Sequence, residues 1–244
     1  MGSPKISQMG VPRIEMSTAR TRSNSDPDRL LAMSTGHLSP AHLQSGAWSL
    51  AGAAAVGYAL GLLPSAALAA RVASGGKVDL RASGTGNPGG ANAAAVLGRR
   101  WGYGVMAADI AKGAVACRLG RRVGGDIGQH VAAVSAVVGH CYPVTHGFRG
   151  GKGVATSVGQ CLMTLPAYVP IDLGVAAVVA AGPWRQRALP ATMAASATWV
   201  AASIVWWRRQ LPNAWGGPVT IAHPLAAAAS SAIIATRFLE GRRP

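Results

Sequence analysis

The feature that most constrains this chain is a set of long runs without Asp, Glu, Lys or Arg: Leu30–Ala70, Ile127–Phe148, Val154–Ile171, Ala188–Trp207 and Gln210–Thr236. A helix needs about 20 predominantly apolar residues to cross a bilayer, and several of these runs reach or approach that length. Only 13% of the chain is charged, well below the share usual in soluble globular domains. Ala and Gly dominate the runs, so each is only modestly hydropathic, but small residues let helix backbones approach closely. The expectation is an all-α, multi-pass integral membrane helix bundle with about seven transmembrane helices, and five to seven as the range.

The expected spans are Ala47–Val72 (kinked or ended by Pro64), Gly102–Leu119, Asp126–Pro143, Gly153 to about Pro166, Pro166 to about Gly182, Pro190–Trp207 and His223–Leu239. Pro disrupts regular helix by removing a donor and clashing with the preceding turn. Residues 1–44 are Ser-, Pro- and Arg-rich without apolar periodicity, so they read as a disordered tail rather than a signal peptide; residues 45–244 form the membrane-embedded domain. Trp206, Trp207 and Trp215 fit an interfacial aromatic belt.

The net charge is +15. Its plainest source is the positive-inside rule, with a local contribution from a site for anions. No nucleic-acid-binding motif accompanies it, so nucleic acid is not an expected partner. Cys117, Cys141 and Cys161 lack CxxC spacing and lie in or beside apolar segments, which predicts buried free thiols and no metal site. Lys/Arg counting favours an outer N-terminus and an inner C-terminus. The inner connections then carry Arg71, Lys77, Arg81, Arg99, Arg100, Arg149, Lys152, Arg185 and Arg187, and the inner terminus carries Arg237, Arg242 and Arg243. Both Gly-rich loops face the cytoplasm in that arrangement.

Three motifs interrupt the apolar runs. The first, SGTGNPGGAN over Ser83–Asn92, formally satisfies G-x-G-x-x-G. No strand pattern precedes it, and Asp109 lies within an apolar span, so it is not a dinucleotide fingerprint. It reads either as a flexible turn or as an anion loop in which Thr85, Asn87 and Asn92 add side-chain hydrogen bonds to backbone N–H groups. The second, Asp109-Ile-Ala-Lys112-Gly113, puts two ionisable residues on one face of a span. Such residues are costly in a membrane and either pair structurally or mark function.

The third is VGHCYPVTHGFRGGKGVATS over Val138–Ser157. Its glycines can bring backbone N–H groups close to a ligand, and Arg149 and Lys152 add positive charge. Lys152 is followed by Gly153 rather than Ser or Thr, so the loop is not a Walker A site. His140 reads either as a helix-end hydrogen-bonding residue or as a functional one beside a cationic loop; His223 has no such company and reads as structural.

Together and in this order, GTGNPGGAN (84–92), DIAKG (109–113) and GHCYP…FRGGKGVAT (139–143, 148–156) resemble the bacterial acyl-phosphate:glycerol-3-phosphate acyltransferase family over residues 46–241. The resemblance implies a seven-helix membrane enzyme with its site at the cytoplasmic face of the plasma (inner) membrane. It implies acyl transfer from acyl phosphate to the sn-1 hydroxyl of glycerol 3-phosphate, giving lysophosphatidic acid for phospholipid biosynthesis, with no cofactor and no metal. His140 and Lys152 are then the catalytic candidates. Thr85, Gly86, Asn87, Gly89, Gly90, Asn92, Arg99, Asp109, Lys112, Arg149, Gly150, Gly151, Gly153 and Thr156 are the substrate- and phosphate-binding candidates.

The chain also departs from the family pattern. Thr85 replaces the loop Ser, and Gly90-Ala91 replaces Ala-Thr. The family's functional Arg, three residues after the loop's last Asn, falls on Ala95. The His and Asn of its C-terminal segment fall near Ser231 and Ile234. If one helix ran on from Asn92, Arg99 would share a face with Ala95 and could stand in for the missing cation. The alternatives to the enzyme are a catalytically impaired member that binds lipid or a partner, and an anion channel or transporter. Beyond Asp109, Lys112 and Asp172 the spans carry almost no charge, which disfavours transport.

Overall fold

The structure is a computed structural model that describes residues 40–183 and 188–240. Most of the expected N-terminal tail, and Arg185, Arg187, Arg242 and Arg243 of the orientation argument, lie outside those residues. Among the described residues the regular structure is all helical, with eight α-helical stretches: α1 (Pro40–Gly61), α2 (Ser65–Ser74), α3 (Gly90–Leu97), α4 (Arg99–Cys141), α5 (Val154–Thr164), α6 (Val169–Ala180), α7 (Ala188–Arg209) and α8 (Ala222–Glu240).

Each expected span coincides with helix. The first is α1 plus α2, interrupted at Leu62–Pro64 as Pro64 demands. The second and third are the two halves of α4, separate helices that meet at the non-helical Gly124 and Gly125. The chain reverses there: a Cβ at Gly120 would strike the Gly128 carbonyl oxygen, and one at Gly128 that of Gly120, so the two halves pack side by side as a tight helical hairpin. Two adjacent glycines suffice for that break because Gly125 takes φ +65° without a Cβ clash. The fourth and fifth spans, α5 and α6, are joined through the 3-10 turn Pro166–Tyr168 and bent by 117°. The segment between residues 73 and 100, expected as a connection, contains α3.

By length and composition, Gly46–Ser74 and α7 can each cross a membrane, and α5 with α6 makes a third if the bent pair is one span. The first half of α4 is interrupted by Asp109, Lys112, Arg118, Arg121 and Arg122, and the second is short and carries Asp126, Gln129, His130 and His140.

The backbones of α4 and α5 pack closely. A Cβ at Gly113 would run into the carbonyl oxygen of Thr156, and one at Gly159 into that of Ile110. This reciprocal pair of glycines brings the two backbones together, the arrangement that small residues permit in membranes. It also fixes Asp109 and Lys112 relative to the central loop. On α8, Ile234 and Phe238 pack with Val137 and Cys141 of α4. The three cysteines are buried free thiols, as expected. His223 is structural: its Nε2 lies 3.0 Å from the Thr164 carbonyl oxygen, and its Nδ1 accepts from the Thr220 N–H. With Asn213 and Trp215, it satisfies carbonyls at the end of α5, which a helix terminus leaves without intrahelical partners.

Candidate functional site

Asp109 and Lys112 sit one turn apart in the middle of α4's first half, buried to 2% and 6% exposure. Lys112 Nζ donates to Asp109 Oδ1 at 2.8 Å and to Ser65 Oγ at 3.0 Å. Ser65 Oγ donates to the same Asp109 oxygen at 2.5 Å. His140, near the end of α4, brings Nδ1 to 3.6 Å from that oxygen. One carboxylate oxygen therefore gathers a hydroxyl, an ammonium and an imidazole from three stretches of chain. Such clustering satisfies the requirement that buried charge be paired and hydrogen-bonded.

This cluster forms the floor of an open cleft. Ser65, Lys112, His140 and Gly151 line it, together with Arg81 and His146. The first turn of α2 also opens on it, and the first turn of a helix leaves N–H groups without intrahelical partners. The rim is thus cationic and rich in donors, and the arrangement suits an oxyanion.

The central loop does its work by close approach. The Gly150 and Gly151 N–H groups donate to the Cys141 and His140 carbonyl oxygens at 3.0 and 3.1 Å. They therefore cap the end of α4 rather than forming an anion-binding concavity. What Gly151 supplies is space: a Cβ there would strike His140 Nε2. The loop is also held from α8, where Arg237 donates from Nη2 to the Gly150 carbonyl oxygen at 2.9 Å and from Nε to that of Gly151 at 3.3 Å. Gly153, at φ +81°, turns the chain into α5. Thr156, one turn on, is fully buried with its hydroxyl unpartnered.

The first loop is organised by Asn92. Its Oδ1 accepts from the Thr85 N–H, and its Nδ2 donates to the carbonyl oxygens of Leu80 and Ser83. The polar atoms expected to meet substrate are thus engaged in folding the loop. Gly89 precedes α3, and Gly90 packs on the Gly102 carbonyl and Met106 of α4. Thr85 and Gly86 are exposed and Asn87 is half-buried.

Of the sequence candidates, the cleft brings together Lys112, His140, Gly150 and Gly151, with Asp109 beneath. It does not gather Arg99, Arg149 or Lys152. Lys152 Nζ lies 4.1 Å from the centre of the Phe238 ring, and Arg149 is exposed. The continuous helix needed for Arg99 to replace a cation at Ala95 does not exist: Gly98, at φ +98°, separates α3 from α4. Arg99 instead donates to Tyr103 Oη at 3.1 Å. Ser65, Arg81 and Arg237 were not singled out from the sequence, apart from the two arginines serving as topology charges. Of these, only the Ser at the start of a helix after Pro64 carried a local signal.

Fold and cleft define the class: an integral membrane helix bundle with a buried Ser–Asp–Lys–His cluster under a cationic mouth. Residues 51–241 match the family model described as glycerol-3-phosphate acyltransferase. The chain is 41% identical over 124 residues to a glycerol-3-phosphate acyltransferase of Bacillus cereus (strain G9842), covering 51% of this chain and 60% of that protein. It is 39% identical over 105 residues to one of Thermoanaerobacter pseudethanolicus, covering 42% and 53%. The match thus spans about 60% or less of these curated relatives' own length. Among solved structures, it resembles PlsY, an integral membrane glycerol 3-phosphate acyltransferase, in its glycerol 3-phosphate form. That likeness has a TM-score of 0.60 and 25% identity, covering 78% of this chain and 89% of that one. The lysophosphatidic acid form of PlsY has the same fold, with a TM-score of 0.60 at 23% identity, covering 80% and 94%. This chain belongs to the glycerol-3-phosphate acyltransferase family.

Proposed function

We propose that the protein transfers an acyl group from acyl phosphate to the sn-1 hydroxyl of glycerol 3-phosphate, releasing lysophosphatidic acid and inorganic phosphate. The observation that carries this reading is the buried Ser65–Asp109–Lys112–His140 cluster at the floor of a cationic cleft. Both substrates carry phosphate, and a site for them must hold two anions close together.

Acyl phosphate is already activated, so the reaction needs no covalent enzyme intermediate. The glycerol oxygen attacks the acyl carbonyl carbon, the ester bond forms, and the bond to the phosphate oxygen breaks. With Nδ1 directed at Asp109, the His140 ring has Nε2 on the Gly151 side to take the hydroxyl proton. That proton ends on the departing phosphate. Lys112 is held by Asp109 and Ser65 with its ammonium at the cleft floor, where a preorganised charge stabilises developing negative charge without reorganisation. Lys152, beside Gly153 and the start of α5, serves the second phosphate, supported by the positive end of that helix. Holding hydroxyl and carbonyl together supplies much of the rate.

In the plasma membrane, the Lys/Arg distribution supports an orientation with both loops on the cytoplasmic side. A cysteine introduced at exposed Thr85 should be labelled only after the inner face is opened. Labelling in intact cells by an impermeant reagent overturns this orientation. The activity itself is tested with purified protein, acyl phosphate and labelled glycerol 3-phosphate, where no labelled lysophosphatidic acid overturns the reading.

A second reading, a family member without transfer activity that binds lipid or a partner, is favoured by one observation. Ile234, near the family's C-terminal Asn, is 2% exposed among Val137, Cys141 and Phe238, and contributes nothing polar.

A further inference from the structure

Arg81 is the cation in the cleft whose charge is not neutralised by a neighbour. Lys112 shares its charge with Asp109 at 2.8 Å. Among the described residues, no carboxylate pairs with Arg81. Asp79, two residues before it, uses its carboxylate to accept the backbone N–H of Arg81 at 2.9 Å. The Nε of Arg81 is shielded from solvent and has no hydrogen-bond partner, an arrangement expected of a donor that awaits a ligand.

The root of this side chain is fixed. Leu80 is buried with Ala66, Ala70, Ala93 and Val105. The Leu80 and Ser83 carbonyl oxygens are both bound by Asn92 Nδ2, at 2.9 and 3.0 Å. The first glycine loop therefore serves as a mount: Asn92 folds it, and Arg81 is carried on its leading edge into the cleft beside Ser65, Lys112 and His140. Other cations near that loop do not reach the cleft. Ala95 occupies the position of the family's arginine, and Arg99 is turned to Tyr103.

We infer that Arg81 is a phosphate-binding residue of this protein, receiving the phosphate monoester group of a glycerol phosphate in the cleft above Lys112 and His140. The planar fork of a guanidinium matches two phosphate oxygens at once, which an ammonium does not. Arg81 thereby supplies from the front of the loop the cation that Ala95 cannot. The inference rests on the acyltransferase reading for the identity of the ligand, though not for the presence of an anion site.

The test is calorimetric titration of the full chain, purified in detergent, with glycerol 3-phosphate and separately with inorganic phosphate. Arg81→Gln should weaken glycerol 3-phosphate at least tenfold, Arg81→Lys severalfold, and the exposed control Arg100→Gln not at all. Loss of inorganic phosphate affinity alone would overturn the assignment to the glycerol phosphate and move Arg81 to the donor's phosphate. Wild-type affinity in Arg81→Gln overturns the inference and leaves the acyltransferase reading standing. If the wild type binds neither probe, both fall. Should Arg81→Gln fail to fold, Arg81→Lys decides: it keeps the charge and loses the fork, and wild-type affinity in it overturns the inference.

Discussion

Arg237 on α8 and Gly150 in the central loop are joined by a 2.9 Å hydrogen bond from guanidinium to carbonyl, across 87 residues of sequence. The same side chain reaches the Gly151 carbonyl and the Glu240 carboxylate. Its guanidinium also lies 5.1 Å from the centre of the Tyr142 ring. Since Gly150 and Gly151 give their N–H groups to the end of α4, the loop is pinned from both sides, and α8 is what closes the second side.

Arg237→Gln should therefore loosen the loop without unfolding the bundle. Losing charge-assisted bonds worth about 1.5–3 kcal/mol corresponds to roughly 10–100-fold in rate if the loop positions His140. Hydrogen exchange over residues 147–153 checks the cause. Unchanged exchange alongside reduced turnover would mean that Arg237 does not act by holding the loop.

The Asp109–Lys112 pair predicts an asymmetry in stability. Removing one partner of a buried pair leaves an uncompensated charge and costs about 3–5 kcal/mol, whereas replacing both with groups of similar shape is often close to neutral. Lys112→Met should lower the thermal midpoint in detergent sharply, and Asp109→Leu combined with Lys112→Met should recover much of it. Neither variant should transfer acyl groups. Equal destabilisation by the single and double variants would count against a mutually dependent pair.

Gly151 tests the approach of loop to imidazole. Gly151→Ala places a methyl group against His140 Nε2, so either the ring or the loop must move. Turnover should fall by roughly a hundredfold, about 2.7 kcal/mol of activation free energy. Unaltered turnover would show that His140 is not held where the reaction occurs.

These elements differ in how far the sequence foretold them. The apolar runs predict the helices because a bilayer admits few alternatives, and the three motifs do enclose one cleft. The break expected between Leu119 and Asp126 falls at Gly124 and Gly125; helix continues through Arg118, Arg121 and Arg122 because two glycines are enough to reverse the chain. The proposal for Arg99 failed at one residue, Gly98, whose left-handed φ separates α3 from α4. Ser65 and Arg237 meet their partners 44 and 87 residues away, and no local period records such contacts. Arg81 counted only as a topology charge, because its exposure to the cleft depends on how Asn92 folds the loop behind it.

Lys152 lies outside the cleft floor, with its ammonium against Phe238. A cation held on an aromatic face is restricted in where it can go. Lys152→Ala should reduce transfer by about 10–100-fold, the equivalent of one charge-assisted phosphate contact, with the bundle still folded. Phe238→Leu should have a smaller effect, expressed mainly in KM. A Lys152→Ala enzyme with wild-type kinetics would remove Lys152 from the mechanism.

The last prediction concerns Ile234 and Ser231. The family's C-terminal His and Asn fall near these positions, yet Ile234 is enclosed by Val137, Cys141 and Phe238. The Ser231 hydroxyl is buried without a partner. Ile234→Asn would bury an amide in an apolar cluster, at a cost of about 1–3 kcal/mol, so alone it should destabilise the protein. Ser231→His is the informative companion, because an imidazole one turn before residue 234 lies on the same face of α8 and can pair with that amide. If the wild type transfers acyl groups and the double variant is no faster, the cleft around Arg81, Lys112 and His140 is sufficient for the reaction. If only the double variant transfers, the natural protein lost catalysis when α8 became apolar at this point, and the lipid- or partner-binding reading takes its place.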